Sequence, residues 1–324
     1  MNIKEYIKQW AESYKTDLTE NIMPFWMEHG WDKVNGGVYT CLDRDGSLID
    51  TTKSVWFQGR FAFICAYAYN NVEKNPMWLE AAKSTLDFIE SHCFDENGRM
   101  YFSVTAEGKP LRMRRYVFSE TFAAIAMSEY ALATGEQKYA ERALQIFKDT
   151  QRFLTTPGIL APKFEESVQL QSHSIIMILI NVGSCIRKVI NDPKLTEQID
   201  ESIAKLKKYF IHPEFKCLLE TVGMNGEFVD TCMGRTINPG HCIETSWFIM
   251  EEAKLRRLGQ GDNRYGAADL RLVLGLRMGQ AVWRHHQLQR LQESSFAGLF
   301  SGYEVLVATD RNHHRFSLCL PCNR

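Results

Sequence analysis

VWFQGRFAFICAYAYN, residues 55–70, is apolar on nearly every side when wound as a helix. A helix hydrophobic all round belongs inside a larger assembly, because a surface helix would show one polar face. Three more stretches read the same way: residues 116–134 within YVFSETFAAIAMSEYALATG, HSIIMILINVGSCIRKVI (173–190), and 241–254. Between them lie helices with a charged face: PMWLEAAKSTLDFIESHC (76–93), with Pro near its first turn, EQKYAERALQIFKDTQRFL (136–154) and LTEQIDESIAKLKKYFI (195–211). Residues 3–28 also carry apolar residues at helical spacing. Glycine-centred turns with short alternating runs, at 30–47, 95–104 and 215–230, predict small β-hairpins.

The repeating unit is therefore a buried helix, an amphipathic helix and a hairpin, recurring roughly every fifty to sixty residues. Helix pairs that cannot bury their faces alone build either an open solenoid or a closed ring. Inner helices apolar all round favour the ring. The fold class predicted is all-α: an α/α toroid, or barrel, with an inner ring of helices wrapped by an outer one. No Pro/Ser-rich linker interrupts residues 1–254, which read as one domain.

The chain has 324 residues, 45% of them hydrophobic, enough for a large core, and a formal charge of −1. That balance gives no reason to expect nucleic acid or an anionic membrane as partner. No apolar run approaches transmembrane length, and MNIKEYIKQWAESYK at the start lacks the apolar core of a signal peptide. The nine cysteines have no framework spacing and read as reduced thiols of a cytoplasmic protein. The pair Cys319 and Cys322 has no second pair, so no metal site is expected. Dinucleotide and phosphate-loop fingerprints are absent from the sequence, and no cofactor is expected.

Chemistry concentrates in GRTINPGHCIETSWF, residues 234–248. Asn238-Pro239-Gly240 reads as a turn, and His241 and Glu244 open the apolar run of Ile243, Trp247, Phe248 and Met250, which reads as a buried helix. Spacing i, i+3 sets imidazole and carboxylate on one face of the first turn. A proton-transfer residue needs such a mount and a pKa near neutrality. The same residues also suit a helix start with an ordinary first-turn acid.

FWMEHGWDKVNGGVYTCLDRDG, KSVWFQGRFAF, YVFSETFAAIAMSE and GRTINPGHCIETSWF, in that order and spacing, resemble the N-acylglucosamine 2-epimerases over roughly residues 20–255. The resemblance implies an (α/α)6 barrel of the six-hairpin glycosidase-like kind, with the site at one mouth. It implies an isomerase of amino-sugar metabolism that interconverts N-acetylglucosamine and N-acetylmannosamine through a pair of histidines exchanging the C2 proton. By the same resemblance His241 matches the first histidine, Glu244 its nearby carboxylate, and Arg60 an arginine at the sugar carbonyl. ATP as an effector and a homodimer are implied by resemblance alone. A guanidinium there suits the negative charge that proton loss puts on the oxygen. Trp56, one turn before Arg60, could stack on a sugar or belong to the core. Glu120, polar in an apolar helix, is a substrate-binding candidate whose alternative is a partnered structural carboxylate. His173 and Asn181 are further candidates on another inner helix.

Beyond about Lys254 the pattern fails. Residues 255–324 have neither helix-pair periodicity nor these motifs, and they read as an aberrant tail. Reading one base later, Met278-Gly279 must give Trp and Trp283-Arg284 must give Gly. Permitted codons for Arg271 to Gln289 then allow text resembling GWDKVNGG. The expectation is a frameshift between about Lys254 and Leu270, genuine or a sequencing error, which leaves the barrel incomplete at its C-terminus. The resemblance places the second histidine near the family's C-terminus, and His285, His286, His313 and His314, lying in shifted text, are not assigned that role. The polypeptide as written is expected to be poorly soluble and inactive as an epimerase. Alternative readings are a mannose or cellobiose 2-epimerase or an aldose–ketose isomerase. From other classes, they are an inverting glycoside hydrolase or a non-catalytic sugar-binding protein.

Overall fold

The computed structural model describes residues 3–161, 169–215 and 217–260. The tail readings from residue 261 onward, including its four histidines and Cys319 and Cys322, lie outside the described residues. Helix α1 (Ile3–Asp17) continues through a wide turn at Leu18–Ile22, a short α2 (Met23–Phe25) and a second wide turn at Trp26–Gly30. Then come strands β1 (Cys41–Leu42), β2 (Leu48–Asp50) and β3 (Lys53–Ser54), followed by α3 (Val55–Asn71) and α4 (Pro76–His92). Strands β4 (Ser103–Val104) and β5 (Pro110–Arg112) precede α5 (Phe118–Thr134) and α6 (Gln137–Thr155). Strand β6 (Leu170–Ser172) leads into α7 (His173–Arg187), α8 (Pro193–Lys205) and a final wide turn at Leu206–Phe210. Strands β7 (Ile211–His212), β8 (Cys217–Leu218) and β9 (Thr221–Gly223) lead to α9 (Pro239–Gln260). This last helix runs past residue 254, where the pattern reading stopped.

Among the described residues α3, α5, α7 and α9 pack side by side in an arc of inner helices, backed by α4, α6 and α8. This is the α/α toroid plan. The inner helices approach closely because their sequences are small where they touch. A Cβ on Gly59 of α3 would lie 2.6 Å from the backbone of Phe122 on α5, and Ala123, Ala124 and Ala126 line the same helix. The outer helices α4 and α8 start by one device. Asn75 and Asp192 each accept from a backbone N–H two residues on, at 3.1 and 3.0 Å, and Pro76 and Pro193 fill the first helical position.

The short strands gather at the N-terminal ends of the inner helices. β3, β4 and β5 form one antiparallel sheet before α3 and α5, while β6 pairs with β9 before α7. The stretch 215–230, expected as one hairpin, divides. β8 pairs back with β7, and β9 reaches across to β6, while Asn225-Gly226 makes the expected turn with Gly226 at φ 85°. Buried polar clamps tie these loops down. The Lys53 ammonium is fully buried and donates to Asp32 Oδ2 at 2.7 Å and to the carbonyls of Gly36 and Ala106. Gln58 brackets Val38, accepting from its N–H at 2.7 Å and donating to its carbonyl at 2.8 Å.

Two apolar cores result. The larger joins α3 to α6 and reaches α7, and the smaller lies among α7, α8, α9 and the strands β8 and β9. The α7 helix belongs to both, and the site described next lies at its first residue.

Candidate active site

His173 is the first residue of α7, and its backbone N–H donates to the Glu220 carbonyl at 3.0 Å. Glu220 sits between β8 and β9, its own N–H donating to the Thr236 carbonyl at 3.0 Å. The loop carrying Glu220 is thus stitched to the start of α7 on one side and to the approach of α9 on the other. At the start of α9, Asn238 Oδ1 accepts from the His241 N–H at 3.2 Å, so Asn238 caps the helix that Pro239 opens. Gly240 lies within this first turn and does not have positive φ, so the turn read from Asn238-Pro239-Gly240 is the start of the helix.

These mounts converge three side chains. Nδ1 of His241 lies 2.8 Å from Glu220 Oε2, and Nδ1 of His173 lies 3.6 Å from the same oxygen. The imidazole centroids are 6.2 Å apart. Nε2 of His173 lies 2.8 Å from the hydroxyl of Thr245, which follows His241 by one helical turn on the same face. His173 has no solvent exposure, whereas the side chain of His241 is 31% exposed and so within reach of a ligand.

Electrostatics follow from burial and pairing. Burial alone would push the Glu220 carboxyl up, but the imidazoles of His173 and His241 outweigh it and hold the group at about 2, so Glu220 is a carboxylate at neutral pH. Burial pushes the His173 imidazole down, against the pull of Glu220, and favours its neutral form. A carboxylate cannot donate, so the 2.8 Å bond requires the proton on His241 Nδ1. Neutral His241 then carries its lone pair on Nε2, oriented by Glu220. This is the arrangement of a general base with a second group fixing its tautomer.

Among the residues singled out from sequence, His241 and His173 come together, and Glu244 lies in the first turns of α9 beside them, half-buried. The carboxylate bonded to His241 Nδ1 is Glu220, which sequence reading passed over, as it did Thr245. A lone acid in the apolar, extended run CLLETVG was the available signal. Arg60 and Trp56 sit on α3, with the Arg60 guanidinium 4.5 Å from the Phe122 ring centroid and 5.6 Å from that of Trp56. Along the arc this cluster is two inner helices from His173 on α7 and three from His241 on α9. Asn181 lies eight residues beyond His173 on α7, about 12 Å along the helix axis, and accepts from Cys185 one turn on.

Glu120 takes its alternative reading. It is buried and holds Arg99, whose Nε donates to Oε1 at 2.8 Å, while Arg99 also donates to the carbonyls of Arg114 and Tyr116. Through Oε1 the carboxylate anchors the 95–116 segment on α5, the structural role given as its alternative, while Oε2 is buried without a hydrogen-bond partner. A further expectation fails on α9. Ile243 and Trp247 are 45% and 48% exposed, and the buried residues are Thr245, Ser246, Phe248, Ile249 and Glu252.

The family model described as N-acylglucosamine 2-epimerase matches residues 37–274. The chain belongs to the N-acylglucosamine 2-epimerase family. It is 28% identical to the human N-acylglucosamine 2-epimerase over 284 residues, covering 85% of this chain and 66% of that protein. It is 28% identical to the rat enzyme of that name over 259 residues, covering 77% of this chain and 61% of that protein. The chain thus spans somewhat under two thirds of the curated relatives it matches. Among solved structures, the cellobiose 2-epimerase of Spirochaeta thermophila superposes with a TM-score of 0.71 at 18% identity, covering 87% of this chain and 73% of that one. That likeness is one of fold. Among the described residues no helix is long and apolar enough to cross a membrane.

Proposed function

We propose that the site of His241, Glu220 and His173 belongs to a cytoplasmic sugar 2-epimerase interconverting N-acetylglucosamine and N-acetylmannosamine. The observation that carries the reading is the 2.8 Å bond from His241 Nδ1 to Glu220, on a half-exposed imidazole in a family named for this reaction. In the open-chain sugar Nε2 takes the proton from C2, the C–H pair becomes the C1–C2 double bond, and the carbonyl oxygen becomes the oxyanion of an enolate whose C2 keeps its acetamido group. Return of a proton to the opposite face of C2 gives the epimer and needs a second acid across the ring. Arg60 is the proposed partner of the oxyanion, with Trp56 as a stacking face for the sugar. The reaction moves only protons and needs no redox cofactor.

The tail beyond about Lys254 is proposed to be out of frame, so the reaction belongs to the frame-restored chain. The nucleotide sequence tests this: no single-base change that restores motif text would end the idea. Cellobiose 2-epimerases among the relatives favour, as the second reading, the same proton chemistry on another sugar. An inverting hydrolase would need two carboxylates facing across a sugar, and Glu220 is engaged by imidazoles. Incubation of the frame-restored chain with N-acetylmannosamine in deuterated water should give N-acetylglucosamine labelled at C2. Labelling of mannose or cellobiose alone would move the assignment to the second reading, and hydrolysis of glycosides without labelling would overturn both.

A further inference from the structure

We propose that His173, Glu220 and His241 form a binding site for a divalent transition-metal cation of the zinc, cobalt or nickel kind. One donor atom from each residue lies within 4.8 Å of the others. Ligands about 2.0–2.1 Å from a tetrahedral zinc ion stand roughly 3.3 Å apart. The two distances onto Glu220 Oε2, 2.8 Å from His241 Nδ1 and 3.6 Å from His173 Nδ1, straddle that value. The third edge, between the two imidazoles, is within 4.8 Å and must close by up to about 1.5 Å for a tetrahedral ion.

A second, independent feature points the same way. Nδ1 of His173 is wholly buried without a hydrogen-bond partner, and its 3.6 Å gap to the carboxylate is too long for a bond. Its other nitrogen is already engaged by Thr245 at 2.8 Å, which fixes the ring with Nδ1 turned toward Glu220. A hydroxyl locking the distal nitrogen of a ligating histidine is the outer support that such ligands need. Two imidazoles and one carboxylate suit zinc, cobalt or nickel over the oxygen-seeking magnesium and calcium.

The consequence rests on the proposed function. Metal on Nδ1 of a neutral imidazole requires the proton on Nε2. The nitrogen assigned to accept the C2 proton would then become a donor. The bound cation would silence His241 as a base, and a chelator would restore it.

The test reads binding and so stands apart from epimerase activity. The 324-residue chain carrying Cys319→Ser and Cys322→Ser is titrated with Co2+ and followed by visible absorption. One equivalent should give the intense d–d bands of four-coordinate cobalt without a thiolate charge-transfer band. Glu220→Gln and His173→Gln should each weaken binding at least about tenfold, as loss of a ligand must if loss of its support alone costs that much. His212→Gln, which alters a histidine paired with Glu214 elsewhere, should leave it unchanged. Far-ultraviolet circular dichroism and the melting midpoint of each variant confirm that it is folded. Since His173→Gln also removes the bond to Thr245, the near-isosteric Glu220→Gln is the deciding variant. Bands that persist at full strength in folded Glu220→Gln, or no bands at all from the folded parent, would overturn the site.

Discussion

Helix α9 meets a carboxylate at its start and carries a buried one in its second half, and the two are treated differently. Near its start Glu220, from the β8–β9 loop, is shared by the imidazoles of His241 and His173. Three turns later Glu252 is engaged by guanidiniums: Arg187 Nη2 lies 2.7 Å from Oε1, Arg256 donates to the same oxygen, and Ser184 donates to Oε2 at 2.6 Å. Arg256 also pairs with Asp200 at 2.8 Å, binding α9 to α8 as well as α7. Burial works against the Arg256 cation, but Glu252 and Asp200 more than compensate, so it keeps its charge at any ordinary pH. Imidazoles can trade protons near neutrality and guanidiniums cannot. The second half of the helix is built to hold, and its start to exchange.

That contrast can be broken from either side. Glu252→Ala leaves Arg187 and Arg256 without their shared carboxylate in a mostly buried place and should cost about 3–5 kcal/mol, read by urea unfolding. A loss below about 1 kcal/mol would deny that this end is structural. Glu220→Gln removes one charged hydrogen bond beside a half-exposed ring and should cost about 1.5–3 kcal/mol. In the frame-restored chain it should lower C2 exchange by about a hundredfold or more, since the base loses its tautomer. A smaller change is expected from Thr245→Val, about 1–2 kcal/mol, because His173 Nε2 then stays buried and unpaired.

A third buried carboxylate sharpens the comparison through pH. Burial would push Asp32 up, but Lys53 and the N–H groups of Val34 and Asn35 outweigh it and hold the carboxyl well below the usual range. Its pKa is depressed on folding, so its stabilisation is complete above the unfolded value near pH 3.9 and fades as pH falls toward the folded value. Glu120 has the opposite sign. Burial pushes it up against the pull of Arg99, so falling pH favours its folded, protonated form. Urea midpoints between about pH 3 and pH 6 should therefore fall less steeply on acidification in Asp32→Asn than in the parent. They should fall more steeply in Glu120→Gln.

The helices were legible because their composition leaves little choice: α3, α5 and α7 are apolar around their circumference and could only be interior. The face of α9 was not legible. Its buried face of Thr245, Ser246, Phe248, Ile249 and Glu252 is mostly polar, while the apolar Ile243 and Trp247 lie outward among the described residues. Hydrophobicity ranked the wrong face because the right one is filled by hydrogen-bonded and ion-paired groups. His241 could be found because it sits in a recognisable helix-opening motif. For Glu220 the lone acid in CLLETVG was a signal without a partner, since its place depends on β9 pairing with β6, some fifty residues earlier in the chain. Glu120 shows the converse: a lone acid in an apolar helix marks a buried polar group, and only the structure supplies Arg99 as its partner.

The central claim is that His241, oriented by Glu220, moves the C2 proton. The most direct measurement is deuterium incorporation at C2 of N-acetylmannosamine by the frame-restored chain, compared between the parent and a folded His241→Asn variant. The account predicts label in the parent and at least a hundred-fold slower labelling in the variant, on the order expected for losing a general base. Labelling at the parental rate without His241 would contradict it.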